Sequence, residues 1–184
     1  EQYVKSFRDR SFKNAGIANT YGVELEAVKK LSFLTSKDNS WFNYITVFGN
    51  VAFMKSRIEF KAEEAKTNKA RPMQGQSPYL LNGGISCIHP DYGVGLSVLY
   101  NRIGERLVEV GTIQVPYPDV YEKSRDVIDI VLNKTFFKKV DVKLSCGDIL
   151  HPSFVLYQND DFSGKYSSSS NVISRMKVGA NYAI

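Results

Sequence analysis

Apolar and polar residues alternate with a period of two along most of this chain, in runs separated by turn-forming residues. In the run from Tyr21 to Ala27, one side of an extended backbone carries Tyr21, Val23, Leu25 and Ala27, and the other Gly22, Glu24 and Glu26. Further on, Tyr79, Leu81, Ile85 and Cys87 oppose Asn82, Gly84 and Ser86, while Val94, Leu96, Val98 and Tyr100 oppose Gly95, Ser97 and Asn101. Ile128, Ile130 and Leu132 oppose Asp129 and Asn133, and Val140, Val142, Leu144 and Cys146 oppose Asp141, Lys143, Ser145 and Gly147. The last run sets Met176, Val178, Ala180 and Tyr182 against Arg175, Lys177, Gly179 and Asn181. The pattern predicts an all-β, antiparallel chain in one domain, residues 1–184, with strands over 2–12, 20–34, 41–58, 77–88, 93–103, 121–137, 141–150 and 171–184.

Alternation alone fits a soluble sandwich with its apolar face inside as well as a membrane barrel with its apolar face outside. Three features favour the barrel. Most strand cores are about ten residues long, near the ~9–11 of a tilted transmembrane strand rather than the ~5–6 of a soluble one. The polar face holds small residues (Gly84, Ser86, Gly95, Ser97, Ser145, Gly147) beside charged ones, which suits a crowded, hydrated lumen. The connections also sort: 35–40, 89–92 and 138–139 are short, whereas 59–76, 104–120 and 152–170 are long and polar, with only 14–19 breaking the rule as a brief loop on the long side.

Composition agrees. Aromatics reach 12%, with 11 Tyr and 11 Phe, and Tyr, Phe, Val and Ile favour strands. No run approaches the ~18 apolar residues of a transmembrane helix, so any crossing must use strands. The formal charge is +5, but the Lys and Arg residues are scattered, which argues against nucleic acid and suits loops near anionic head groups. Cys87 and Cys146 form no CxxC pair, and each reads as a small apolar strand residue, a disulfide between them being the lesser alternative. Glu1-Gln2-Tyr3-Val4 is already strand-like, so the chain reads as a mature form or a cut piece.

Five segments carry a family resemblance. Tyr21-Gly22-Val23-Glu24-Leu25-Glu26, Gly75-Gln76-Ser77-Pro78-Tyr79-Leu80-Leu81-Asn82, Leu99-Tyr100-Asn101-Arg102-Ile103-Gly104, the run from Tyr121 to Asp129, and Lys143-Leu144-Ser145-Cys146-Gly147-Asp148-Ile149-Leu150 follow one another in order. Together they resemble the C-terminal barrel of TonB-dependent outer-membrane receptors, in the Bacteroidetes-type branch with an outer membrane protein beta-barrel region. The resemblance implies a barrel of about 22 strands around an N-terminal plug, of which this chain would supply the last eight. It also implies import of a scarce ligand driven by the inner-membrane TonB complex, localisation in the bacterial outer membrane, and in some cases a surface lipoprotein partner. Two departures stand out: the chain ends Tyr182-Ala183-Ile184 where the family has a terminal aromatic, and Asp148 stands where Asn is common.

The candidate residues follow from the two faces. Glu24, Glu26, Asn82, Asn101, Arg102, Arg125 and Asp129 are expected to face the lumen or plug, or to pair between strands on the wet face. Arg71 and Gln76 invite the same two readings. Trp41, Tyr79, Tyr100, Tyr121, Phe136 and Phe137 lie near strand ends, where interfacial aromatic girdles sit. His89 and His151 each precede Pro beside a turn and lack the partners of a metal or catalytic site. Glu24 and Glu26 are about 7 Å apart on one strand face, a spacing that an acid/base pair and two lumen residues share. The reading is therefore a non-enzymatic chain with no cofactor and no metal. The rivals are a complete eight-stranded outer-membrane barrel with a structural or adhesive role, and a soluble sandwich that binds a partner.

Overall fold

A computed structural model describes residues 17–38, 40–59, 70–110, 119–158, 166–171 and 175–182. The strand expected over residues 2–12 lies outside them. In chain order the described strands are β1 (Ile17–Lys30), β2 (Ile45–Glu59), β3 (Ala70–Arg71), β4 (Tyr79–His89), β5 (Val94–Ile103), β6 (Arg106–Glu109), β7 (Val120–Glu122), β8 (Arg125–Phe136), β9 (Val140–Gly147), β10 (Ser153–Gln158), β11 (Tyr166–Asn171) and β12 (Arg175–Tyr182). Two 3₁₀ helices, Leu31–Leu34 and Trp41–Tyr44, separate β1 from β2. No described helix is long and apolar enough to cross a membrane.

The fold is antiparallel β throughout. Seven long strands form one sheet in the order β1-β2-β4-β5-β8-β9-β12, a meander interrupted only by strands inside the long connections, with β3 added to the end of β2. Among the described residues β1 and β12 do not pair with each other, so this sheet is open. Its turns sort by length. The β4–β5 and β8–β9 turns and the 3₁₀ pair lie at one end, and the long connections from β2, β5 and β9 leave from the other. Strands drawn from two of those connections build a second, four-stranded sheet, β11-β10-β7-β6.

The structure corrects several expected boundaries. The strand expected over 20–34 stops at Lys30, and that expected over 41–58 begins at Ile45. Leu31–Leu34 and Trp41-Phe42-Asn43-Tyr44 place apolar residues side by side, which breaks the two-residue period, and both coil into 3₁₀ turns. Tyr121 and Glu122 belong to β7 of the second sheet instead of the long strand that begins at Arg125. The connections expected over 104–120 and 152–170 contain strands of that sheet. Cys87 and Cys146 are both free thiols; β5 and β8 lie between their strands, so about three strand spacings, ~14 Å, separate them, beyond disulfide reach.

Register fixes the two faces of the main sheet. One row across it reads Val47, Ile85, Val98, Ile130 and Cys146, and the parallel row on the other face reads Lys30, Thr46, Ser86, Ser97, Val131, Ser145 and Lys177. Two close approaches lock the strands, the first on the second face and the other at the long-connection margin of the apolar face. The Phe48 ring lies on its cross-strand neighbour Gly84, where a Cβ would collide with it. Gly104, at the exit of β5, would drive a Cβ to 2.8 Å from both Ser77 Oγ and the Tyr79 ring. Ser77 is buried there, its hydroxyl 2.8 Å from the carbonyl oxygens of Tyr79 and Gly104.

Candidate functional site

The apolar face is uncovered. Val23, Leu25, Val47, Phe53, Leu81, Ile85, Leu96, Ile130, Leu132, Leu144 and Val178 all point from it and are all exposed, Leu25 to 64%. No described element packs across it. Among the described residues only Ile58 and Leu107 are buried apolar side chains, and both lie at the long-connection end. Along β4 the face runs from Tyr79 to Cys87, about 27 Å, or about 20 Å when tilted as barrel strands are. Charges close it at both ends, Asp126 and Lys134 on β8 for example.

The opposite face carries an amide ladder. Asn101 on β5 donates from Nδ2 to Asn82 Oδ1 on β4, and Asn82 Nδ2 donates to Asn50 Oδ1 on β2 over 3.3 Å. Asn50 Nδ2 then donates to Glu24 on β1. Every bond runs in one sense, so three amide dipoles align toward the Glu24 carboxylate across four strands. Beside the ladder the hydroxyls of Ser86 and Ser97 meet at 2.9 Å. Register places Glu26 on this face opposite Asn50, and puts Arg125 and Asp129 there as well. Asp129 accepts the Asp148 backbone N–H at 2.8 Å, tying β8 to the exit of β9.

Arg102 departs from the expected placement. It shares parity with Leu96, Val98 and Tyr100, so it lies on the apolar face, at its long-connection margin. There Arg102 Nη1 donates to both Asp126 oxygens at 2.8 Å, Tyr100 Oη donates to Asp126 Oδ1 at 2.6 Å, and Arg102 Nε reaches Tyr79 Oη at 3.4 Å. The four side chains form a polar hem along that edge of the apolar face.

Arg125 does more than face a wet surface. Its guanidinium carbon stands 5.7 Å from the Phe154 ring on β10, and its Nε 3.2 Å from Glu122 Oε1 on β7. Glu122, 2% exposed, also takes Arg106 Nε and Nη2 at 2.7 Å. This buried carboxylate joins the two sheets. Nearby, Leu107 packs at 1% exposure, and Tyr121 stacks on Tyr157 with ring centroids 5.8 Å apart. Burial first, then the Glu105 carboxylate beside its hydroxyl, pushes the Tyr157 phenol up to about 12. Burial, then Asp119 and Glu105, raises the Tyr121 phenol as well.

The girdle candidates divide. Tyr79 and Tyr100 stand in the hem at the long-connection margin, while Trp41, Phe136 and Phe137 stand at the short-turn end. Tyr121 lies off the main sheet altogether. At the short-turn end His89 is buried under Trp41, Tyr44 and Tyr92, with ring centroids at 4.8, 4.1 and 4.3 Å. His151 is exposed, its Nδ1 2.7 Å from the Ile149 carbonyl. Asn50, Arg106, Glu122 and Asp126 take part in these contacts without any local sequence signal that marks their partners. An isolated Asn at mid-strand in β2, β4 and β5 was the available signal for the ladder, but only the register aligns the three.

Comparisons with protein families, with curated proteins and with solved structures each gave no match.

Proposed function

We propose that this chain forms part of the wall of an outer-membrane β-barrel, the C-terminal portion of the barrel of a TonB-dependent receptor that imports a scarce ligand. The observation that carries the membrane reading is the uncovered apolar face, in register across seven strands and hemmed by charge at both ends. Such a face in water would expose far more apolar area than a monomeric soluble protein tolerates, whereas lipid tails cover it at no cost in cavity or strain. The opposite face supports the same reading: amides, hydroxyls and carboxylates bonded to one another suit a wetted interior. The second sheet supplies a platform on the long-connection side, where outer-membrane barrels display ligand-capturing loops.

The transport reading rests on the five ordered segments that resemble the receptor family. In that role the chain does no covalent chemistry. It anchors in lipid, presents the amide ladder to the plug, and holds the second sheet above the pore. Its partners would be the plug, the remaining barrel strands, the TonB complex and a capping surface lipoprotein. A complete small barrel is the second reading: among the described residues the outer edges of β1 and β12 carry no strand partner, and both strands continue the same two-faced pattern.

The test is expression of the chain alone in a Gram-negative host behind a secretory leader. Heat-modifiable migration and retention in carbonate-washed outer membranes at the mass of the single chain support the small barrel. Membrane retention only when joined to plug and upstream strands supports the receptor. Recovery in the detergent-free soluble fraction defeats both.

A further inference from the structure

The two ends of the main sheet differ in charge and in how that charge is held. The ion pairs between described residues all lie at the long-connection end: Arg57–Glu59, Arg102–Asp126, Arg106–Glu122 and Arg125–Glu122. The short-turn end carries Lys29, Lys30, Lys37, Lys134, Lys138 and Lys139 against Asp38, Asp91 and Asp141. Among the described residues none of those six lysines is ion-paired, and Asp141 is engaged by the Thr135 hydroxyl at 2.7 Å.

Exposed aromatics interleave with these lysines. Lys29 Nζ stands 5.2 Å from the Phe33 ring centre and Lys134 Nζ 5.7 Å from that of Phe136. Lys134 Nζ also donates to the Tyr92 carbonyl at 2.7 Å, and Tyr92 stacks on Trp41 at 5.9 Å. Buried His89 ties Trp41, Tyr44 and Tyr92 into one rim. The β8–β9 turn is the most pointed feature. Phe137 and Lys138 have φ of 54° and 58°, and Lys139 N–H donates to the Phe136 carbonyl at 3.0 Å. That is a tight turn within a three-residue connection, and its two central positions, both at positive φ, favour Asn and Gly. The chain instead places there a Phe that is 90% exposed, followed by two lysines.

We infer that this rim is a docking surface for anionic phospholipid, with the Phe136–Lys139 turn inserted at the level of the head groups and Lys134, Lys138 and Lys139 holding their phosphates. Aromatic bodies with cationic heads are the side-chain chemistry of a membrane interface, and a cation excess lacking protein counter-ions complements anionic head groups rather than zwitterionic ones. The inference rests on the membrane reading above and adds the head-group chemistry and the end of the barrel that meets it.

Trp41 is the single tryptophan of the chain and belongs to this rim, so its fluorescence reports the lipid beside it. The full chain is reconstituted into phosphatidylcholine vesicles containing a minority of phosphatidylglycerol, with bromine on one lipid or the other. Brominated phosphatidylglycerol should quench Trp41 more strongly at equal mole fraction. Lys134→Gln and the pair Lys138→Gln/Lys139→Gln should reduce the preference about fivefold per lysine. Phe137→Asn/Lys138→Gly suits the turn better than the native pair, so it should fold at least as stably and still lose selectivity. Equal quenching by both lipids overturns the inference and leaves the membrane reading standing. Selectivity that survives in all three variants overturns the assignment to these residues. No quenching by either lipid, with the chain left behind on flotation, overturns the membrane reading and the inference together.

Discussion

Glu122 and Arg125, three residues apart in sequence, stand 3.2 Å apart across the junction of two sheets, the carboxylate on β7 and the guanidinium on β8. Arg106 closes on the same carboxylate from β6, so one buried anion holds two cations and fixes the platform to the wall.

Glu122→Gln keeps the shape and removes the charge, leaving two partly buried guanidinium groups facing each other without a counter-ion. Breaking a buried pair from one side costs about 3 kcal/mol. The loss should be local: hydrogen exchange at Leu107 and Tyr121 should accelerate while the amides of β4 and β5 stay protected. Uniform acceleration across both sheets would show that they unfold as one unit and that the carboxylate is no local clasp.

Tyr157 supplies a pH dependence with a definite sign. A free tyrosine loses its proton near pH ~10, whereas burial and then Glu105 push Tyr157 up to about 12. Between those values the folded chain keeps a proton that the unfolded chain has lost. Its contribution to stability is therefore complete below pH ~10 and disappears as pH rises toward about 12. Ultraviolet titration of the folded chain should show a late phenolate component that Tyr157→Phe diminishes. A single tyrosine transition near the free value contradicts this environment.

What sequence could read here, and what it could not, follows from element length. Strands such as β4 and β5 repeat their two-residue period often enough that the pattern alone puts Leu81, Ile85, Leu96 and Val98 on one face and Asn82 and Asn101 on the other. The second sheet escaped because β6 and β7 have four and three residues, too few to show a period. Arg102, expected beside Arg125 and Asp129 on the lumen side of a strand end, shares the parity of Tyr100 and lies on the apolar face; at a strand end, parity outweighs residue type. The Glu122 clasp and the place of Asn50 in the ladder depend on register between separate segments, which no local pattern encodes.

The native thiols test which face meets lipid. Cys87 and Cys146 are free and stand on the apolar face, Cys87 in register with Leu96 and Cys146 with Ile130. In a reconstituted membrane, a charged aqueous maleimide should leave both unmodified until the protein is denatured. Asn101→Cys in a Cys87→Ala/Cys146→Ala background places a thiol on the opposite face and should react readily. Equal reactivity at all three positions is incompatible with a lipid-covered apolar face.

The amide ladder measures how wet the other face is. Asn82 is its middle rung, accepting from Asn101 and donating to Asn50, whereas Asn101 makes one of these bonds. A neutral hydrogen bond contributes about 1 kcal/mol net when its partners would otherwise be left unsatisfied. If the rungs are shielded, as beneath a plug, Asn82→Ala should lose about twice what Asn101→Ala loses, roughly 2 against 1 kcal/mol. The double variant should fall short of their sum, since the bond between the two residues can be lost only once. If water reaches the ladder freely it replaces each missing amide, and every loss shrinks toward a few tenths of a kcal/mol. The same cycle, run by denaturant titration with and without a plug domain added in trans, therefore separates an occupied interior from an open one. A coupling between the two positions that rises when the plug is present ties the ladder to the plug; one that the plug leaves unchanged confines it to holding the strands in register.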